Sequence, residues 1–225
     1  MKNRFLVVVC FVLFGQVLSF GQDSYSRLDY PNGYPVRLKT PEDVQGTPFL
    51  FETWQEADLL LKDSTVFSHV KTRLNLYNNK LYFLKDDQEL ECVSPVWQFT
   101  LVSPVSDGSK FMVFRNGYPA IDKNTETTYY QLLADGKFQL IKRVFKYLDE
   151  RGGYSGPKEK VYQKDEALYA YLPGNKIIRL NKYKEDLLAA APDYQSQITK
   201  IESTLKLKLR KTDDLIRLFN ALNSE

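Results

Sequence analysis

Histidine is the side chain whose ordinary pKa suits acid–base work near neutrality. This chain has a single one, His69. A Ser/His/Asp nucleophile site would have to use it, and no Gly-x-Ser-x-Gly elbow supplies the serine. His69 alternates with Lys71 and Arg73, which marks the polar face of a strand. Zinc needs three or four convergent ligands, and His69 with Cys92 falls short of that. Carboxylates are the other acid–base resource, since two suffice for glycoside hydrolysis. Asp86, Asp87, Glu89 and Glu91 cluster in sequence and read as a charged turn followed by a solvated strand face. Asp213 and Asp214 suit the first turn of a helix, where the macrodipole favours negative charge. No Asp-x-Asp-x-Asp-Gly calcium loop occurs. Arg151-Gly152-Gly153-Tyr154-Ser155-Gly156 lacks the Lys-Ser/Thr ending of a phosphate loop. The sequence therefore assigns no catalytic, cofactor-binding or metal-ligating residue, and the expectation is a protein that is not an enzyme and carries no cofactor.

The remaining chemistry is that of contact. The chain holds 15 Tyr and 14 Phe, types that favour strands and packed sheet faces. Trp54 and Trp97 are candidate ligand or partner contacts, because an indole joins a large apolar face to a polar edge; core packing is the plainer reading of both. Lys206, Lys208, Arg210 and Lys211 interleave with Leu205, Leu207 and Leu209. That run reads as the end of a helix, where cations complement the dipole.

The N-terminus reads as a secretory signal over residues 1–21. Lys2 and Arg4 form a basic start, residues 5–14 carry no charge, and Ser19-Phe20-Gly21 offers small residues for cleavage before Gln22. The apolar run is too short to span a bilayer as a helix. Cys10 lies inside it and has no small residue before it, so it is no lipid-attachment cysteine. Loss of Lys2 and Arg4 takes 31 basic residues to 29, against 28 acidic ones. A balance so near neutral gives no electrostatic case for nucleic acid. No later stretch is long and apolar enough to cross a membrane. Cys92 would be left without a disulfide partner.

Hydrophobic periodicity supplies the elements. Residues 22–45 are rich in turn formers and read as an extended leader. From 46 to 181 the period is two, as in antiparallel strands. In 69–77, Val70, Thr72, Leu74 and Leu76 share one face. Strands follow over 80–85, 89–93, 95–103 and 111–114. Asp135-Gly136, between 128–134 and 137–148, is the clearest hairpin signal. Further strands are expected at 159–163, 166–172 and 176–180. After that the period becomes helical. Asn181 is the expected N-cap of a helix to 191, Pro192 breaks it, Tyr194, Ile198, Ile201 and Leu205 form one stripe, and Leu215, Leu218, Phe219 and Leu222 form another after Thr212. The expected fold is α+β: an antiparallel meander of nine or ten strands followed by two or three helices over 182–225 that pack on it.

Three stretches together resemble a group of exported proteins common in Bacteroidetes that has no assigned activity. They are Gly46-Thr47-Pro48-Phe49-Leu50-Phe51 with Trp54, Leu74-Asn75-Leu76-Tyr77-Asn78-Asn79-Lys80-Leu81, and Thr212-Asp213-Asp214-Leu215. The resemblance spans 46–225. It implies a periplasmic, envelope-associated or secreted location and carries no catalytic residue. It also implies Asp63-Ser64-Thr65 as a candidate O-glycosylation acceptor at Ser64; a plain hairpin turn is the alternative. The expected role is an interaction or binding module of the envelope, with an envelope protein as partner. Two alternatives stand beside it. One is a carrier of a hydrophobic ligand in a cavity between sheet and helices, and the other is a carboxylate-based hydrolase.

Overall fold

The computed structural model describes residues 30–38, 43–102, 111–152 and 159–224. The expected signal peptide, the Asp107-Gly108 turn and most of the glycine-rich loop after Arg151 lie outside them. Among the described residues twelve strands precede three helices, an α+β arrangement. The strands are β1 (Gly33–Pro35), β2 (Val44–Gln45), β3 (Gln55–Leu61), β4 (Val66–Asn75), β5 (Lys80–Lys85) and β6 (Gln88–Cys92), then β7 (Val96–Val102), β8 (Phe111–Arg115), β9 (Tyr130–Ala134), β10 (Gln139–Arg151), β11 (Glu159–Leu172) and β12 (Lys176–Arg179). The helices are α1 (Tyr183–Ala190), α2 (Gln195–Leu205) and α3 (Thr212–Ser224). Among the described residues no helix is long and apolar enough to cross a membrane.

The strand order is β1-β6-β5-β4-β3-β7-β8-β9-β10-β11-β12, with β2 parallel to β11. The sheet is thus two meanders joined where β3 pairs with β7. That order, with the short link from β6 to β7, forces curvature. Only Val93, Ser94 and Pro95 separate Cys92 from Val96. Four Cα steps of 3.80 Å reach about 15 Å. Four strand spacings in a flat sheet cover about 19 Å, before any offset along the strands. The sheet has to coil until β6 comes round toward the start of β7. Its concave side is filled by Leu59, Phe67, Val70, Leu74, Phe83, Phe99, Leu101, Phe114 and Tyr129, among others. At His69 (φ 56°) β4 carries a bulge that sharpens the bend, held by the His69 N–H donating to Asp58 Oδ1 at 3.1 Å.

The second meander is two-sided. Leu140, Leu168, Ala170 and Leu172 face the helices, where Leu187, Ile198, Ile201, Leu215, Leu218 and Phe219 meet them. Ile141, Ala167 and Tyr169 face the other way, under Tyr118 and Tyr130. Because both faces are buried, 138–147 carries apolar residues on both and does not alternate cleanly.

Several local expectations need correction. Residues 159–172 are one strand, not two. Lys164 and Asp165 resemble a turn in sequence, but they stay in a ladder with β10 that runs unbroken from Gln139↔Tyr171 to Arg151↔Glu159. The cap of α1 is Lys182, not Asn181. The carboxylate of Asp186 reaches back and accepts the N–H groups of both Asn181 and Lys182 at 2.7 Å. In the 135–138 connection Gly136 alone takes a positive φ, 144°, so the hairpin is not a two-residue type I′ turn. That geometry belongs to Asp86 (φ 49°) and Asp87 (φ 60°) between β5 and β6. Two strands, β1 and β2, lie within the stretch read as a leader. Position 33 has no room for a side chain, because an added Cβ would come within 2.6 Å of the Phe83 ring and 2.8 Å of Glu91 O.

The basic run does not form the end of a helix, a further correction: α2 stops at Leu205 with no basic residue in its last turn, and Lys208, Arg210 and Lys211 lie in the connection to α3. Lys206 (φ 53°) closes α2 in the left-handed conformation; its N–H donates to Ser203 O at 3.3 Å and that of Leu207 to Glu202 O at 2.9 Å. This is a Schellman motif with lysine where glycine is favoured. Lys206→Gly should therefore stabilise the fold by about 1 kcal/mol, seen as a rise of roughly 2–4 °C in melting temperature.

Helix α3 is fastened to the β9–β10 connection by one side chain. Asn223 Oδ1 accepts the Phe138 N–H at 2.9 Å, and its Nδ2 donates to Asp135 O at 3.0 Å and Phe138 O at 2.8 Å. Asn223→Ala should cost about 1–3 kcal/mol by stranding these groups. Chemical denaturation checks it, with an unchanged m-value expected.

Candidate functional site

The second meander contains a fork. Strand β9 pairs with β10 only as far as Gln131↔Lys142. Beyond it, β10 meets the segment just past β4, where the Lys146 N–H donates to Leu76 O at 3.1 Å. In the gap lies Arg143, only 8% exposed. Its Nη1 donates to Tyr129 O at 3.3 Å and Val144 O at 3.0 Å. Its Nε is buried and has no partner. Guanidinium does not deprotonate in proteins; burial lowers its pKa from the ordinary value, yet the charge remains. Among the described residues no carboxylate forms an ion pair with it. A buried cation in that position is costly unless an anion or polar ligand completes it.

Arg143 lines an open concavity of about 580 Å³. Leu76, Tyr77 and Phe145 form its apolar wall, while Asp122, Asn124, Lys146, Tyr169 and Arg179 bring polar groups. Lys146 Nζ donates to Thr47 O at 2.7 Å and Phe49 O at 2.8 Å, again to carbonyls and not to a carboxylate. Burial, then nearby Lys164, lowers its pKa. Asp122 sits in the tight turn closed by the Ile121–Asn124 bridge, at φ 54°. Its Oδ2 accepts the Tyr169 hydroxyl at 2.8 Å and lies 3.5 Å from Arg179. Four tyrosines in edge-to-face contact back the site, in the order Tyr171, Tyr118, Tyr130, Tyr169, with centroids 5.3–5.5 Å apart. Burial pushes the Tyr118 and Tyr169 hydroxyls up to about 12. Tyr130 is raised as well, and its hydroxyl is buried without a partner.

The residues singled out in sequence lie elsewhere. His69 is exposed at the β4 bulge, 3.7 Å from Glu56. Glu89 accepts the Leu38 N–H at 3.0 Å. Glu91 accepts the hydroxyls of Tyr34 and of Tyr82 and pairs with Lys80 at 2.8 Å. Partial burial raises the Glu91 pKa, but these bonds outweigh it and hold the carboxyl below the usual range. This acidic cluster fastens β1 and the segment after it onto β6. Trp54 and Trp97 are half-buried, each under a guanidinium: Arg73 lies 5.4 Å from Trp54, and Arg115 4.9 Å from Trp97. Neither lines the Arg143 concavity. Ser64 is exposed (φ 70°) in the β3–β4 turn, where Asp63 Oδ1 accepts the Thr65 N–H. Among the described residues, no group of three or more His, Cys, Asp or Glu stands together as a metal site would require.

Arg143 was not a candidate in sequence, although a signal exists. Ile141, Arg143 and Phe145 share one face of a strand, so a cation stands in line with apolar neighbours. A second concavity, about 430 Å³, is lined by Asn116, Lys62, Lys80 and Cys92. Burial there pushes the Cys92 thiol up to about 11. At pH 8 the native thiol should react with a thiol-specific disulfide reagent about 100-fold more slowly than the unfolded chain, because the thiolate is the nucleophile. The stopped-flow rate with and without denaturant tests this.

No protein-family model matches the chain, and no curated protein or solved structure matches it.

Proposed function

We propose that this chain is an exported, non-enzymatic binding module, and that the concavity over Arg143 holds the negatively charged group of its ligand. The observation that carries the reading is the buried Arg143 guanidinium, whose Nε has no partner and which, among the described residues, has no carboxylate to neutralise it. Lys146 and Arg179 add positive charge to the same walls, against Asp122 alone. The alternative of a carrier for a hydrophobic ligand draws less support from this concavity, because an acyl chain would leave those cations desolvated and unpaired. Export rests on the N-terminal pattern of residues 1–21.

Titration of isotope-labelled protein with sodium acetate and with inorganic phosphate, at ionic strength held constant with chloride, tests the site. The Arg143 Nε–H resonance should shift saturably with at least one of the two, in the millimolar range expected for a single charged contact. An Nε–H that does not move with either anion would overturn the reading.

A further inference from the structure

The walls of the concavity say more than its charge. Phosphate groups are usually seated on runs of free backbone N–H groups or at helix N-termini. No helix N-terminus lines these walls, which come from β10, β11, the end of β12 and two connections, and the three helices pack on the opposite face of β10 and β11. The donor at the bottom is one guanidinium, which suits the planar carboxylate. At the rim Asp122 can accept hydroxyl protons and Asn124 can donate or accept, while Lys123 stands exposed beside them. The same concavity is lined by the rings of Phe145 and Tyr77, the latter 52% exposed. Tyr77 is steadied edge-on by Tyr162 at 5.6 Å. One buried cation, hydroxyl-matching polar groups and an open aromatic wall within about 580 Å³ together describe a polyhydroxylated ring that bears a carboxylate. A site of this volume lies within the usual 300–1,000 Å³ range for small ligands.

Resting on the binding-module reading above, we infer that the ligand is a uronic-acid sugar. Its carboxylate meets Arg143, its hydroxyls meet Asp122 and Asn124, and the C–H face of its ring lies on Tyr77. Recognition on this arrangement is divided: the carboxylate is read at depth and the sugar ring at the rim.

The test compares sodium acetate, glucose, sodium glucuronate and inorganic phosphate by isothermal titration, on the mature chain and on Tyr77→Ala. Tyr77 is surface-exposed, so its variant should keep the native circular dichroism spectrum. Glucuronate should bind the unmodified chain about ten-fold or more tighter than acetate, and glucose should not bind measurably. In Tyr77→Ala glucuronate should fall to the affinity of acetate, with acetate itself unchanged. Equal affinity for acetate and glucuronate, tighter binding of phosphate than of glucuronate, or indifference to Tyr77→Ala would overturn the sugar assignment and leave the anion site standing. Absence of any anion binding would overturn both.

Discussion

The rest of the architecture follows from the shortness of the Val93–Pro95 link. A chain that must return from β6 to the far side of β3 within three residues cannot lie on a flat sheet, so the first meander coils around its own apolar face. Tightness of the coil is maintained at the link: Lys62 N–H donates to Pro95 O, and the Tyr129 hydroxyl and Asn116 Nδ2 both donate to Val96 O. The end of β4 runs past β3 while staying paired with β5 as far as Asn75↔Lys80. There the Leu50 N–H donates to Leu74 O, that of Leu76 to Pro48 O, and that of Lys146 to Leu76 O. The two meanders are thus stitched at both ends of the curl.

The fork is a by-product of that stitching. Strand β10 loses its neighbour β9 and meets instead the segment just past β4, and the gap between them leaves the carbonyls of Tyr129 and Val144 in need of donors. An apolar side chain at 143 would strand both. A lysine would supply donors from one point only. Guanidinium, with five N–H groups in a rigid plane, satisfies the two carbonyls through Nη1 and still has donors left over. A structural requirement and a capacity for binding therefore come from the same side chain, and the surplus donors are what distinguish the two.

Much of the fold was legible because its determinants are local. The alternation of Val70, Thr72, Leu74 and Leu76, the helical spacing of Leu215, Leu218, Phe219 and Leu222, and the break at Pro192 all express a period that short-range geometry imposes. What was not legible depends on distant partners. Lys164-Asp165 passes for a turn until the ladder with β10 is seen. Asn181 looks like a cap until Asp186 is found turning back on it. Lys206 gives no hint of a left-handed cap, because glycine is the usual marker. The site suffered most from this. Arg143 follows Lys142, and two cations in a row suggest solvent; only the start of β9 at Tyr130, more than ten residues away in sequence, leaves the gap that makes the position an interior one.

The acidic and basic clusters of this protein differ in a way that separates support from recognition. The Glu91 carboxylate is met by a lysine ammonium and two tyrosine hydroxyls, and the Asp135 carboxylate by both Nη groups of Arg115. In each, acceptor and donors are matched and little hydrogen-bonding capacity remains for an outside molecule. Around Arg143 the balance is uneven. The guanidinium carries more donors than the two carbonyls it serves, the Tyr130 hydroxyl has no partner, and the charge faces an open concavity. In a folded interior an unmatched donor is tolerated where the fold gains something else from the residue, or where a ligand supplies the missing acceptor. At the fork the first condition is met, since the two bonds to backbone carbonyls hold the arginine in place, and the opening beside it leaves room for the second.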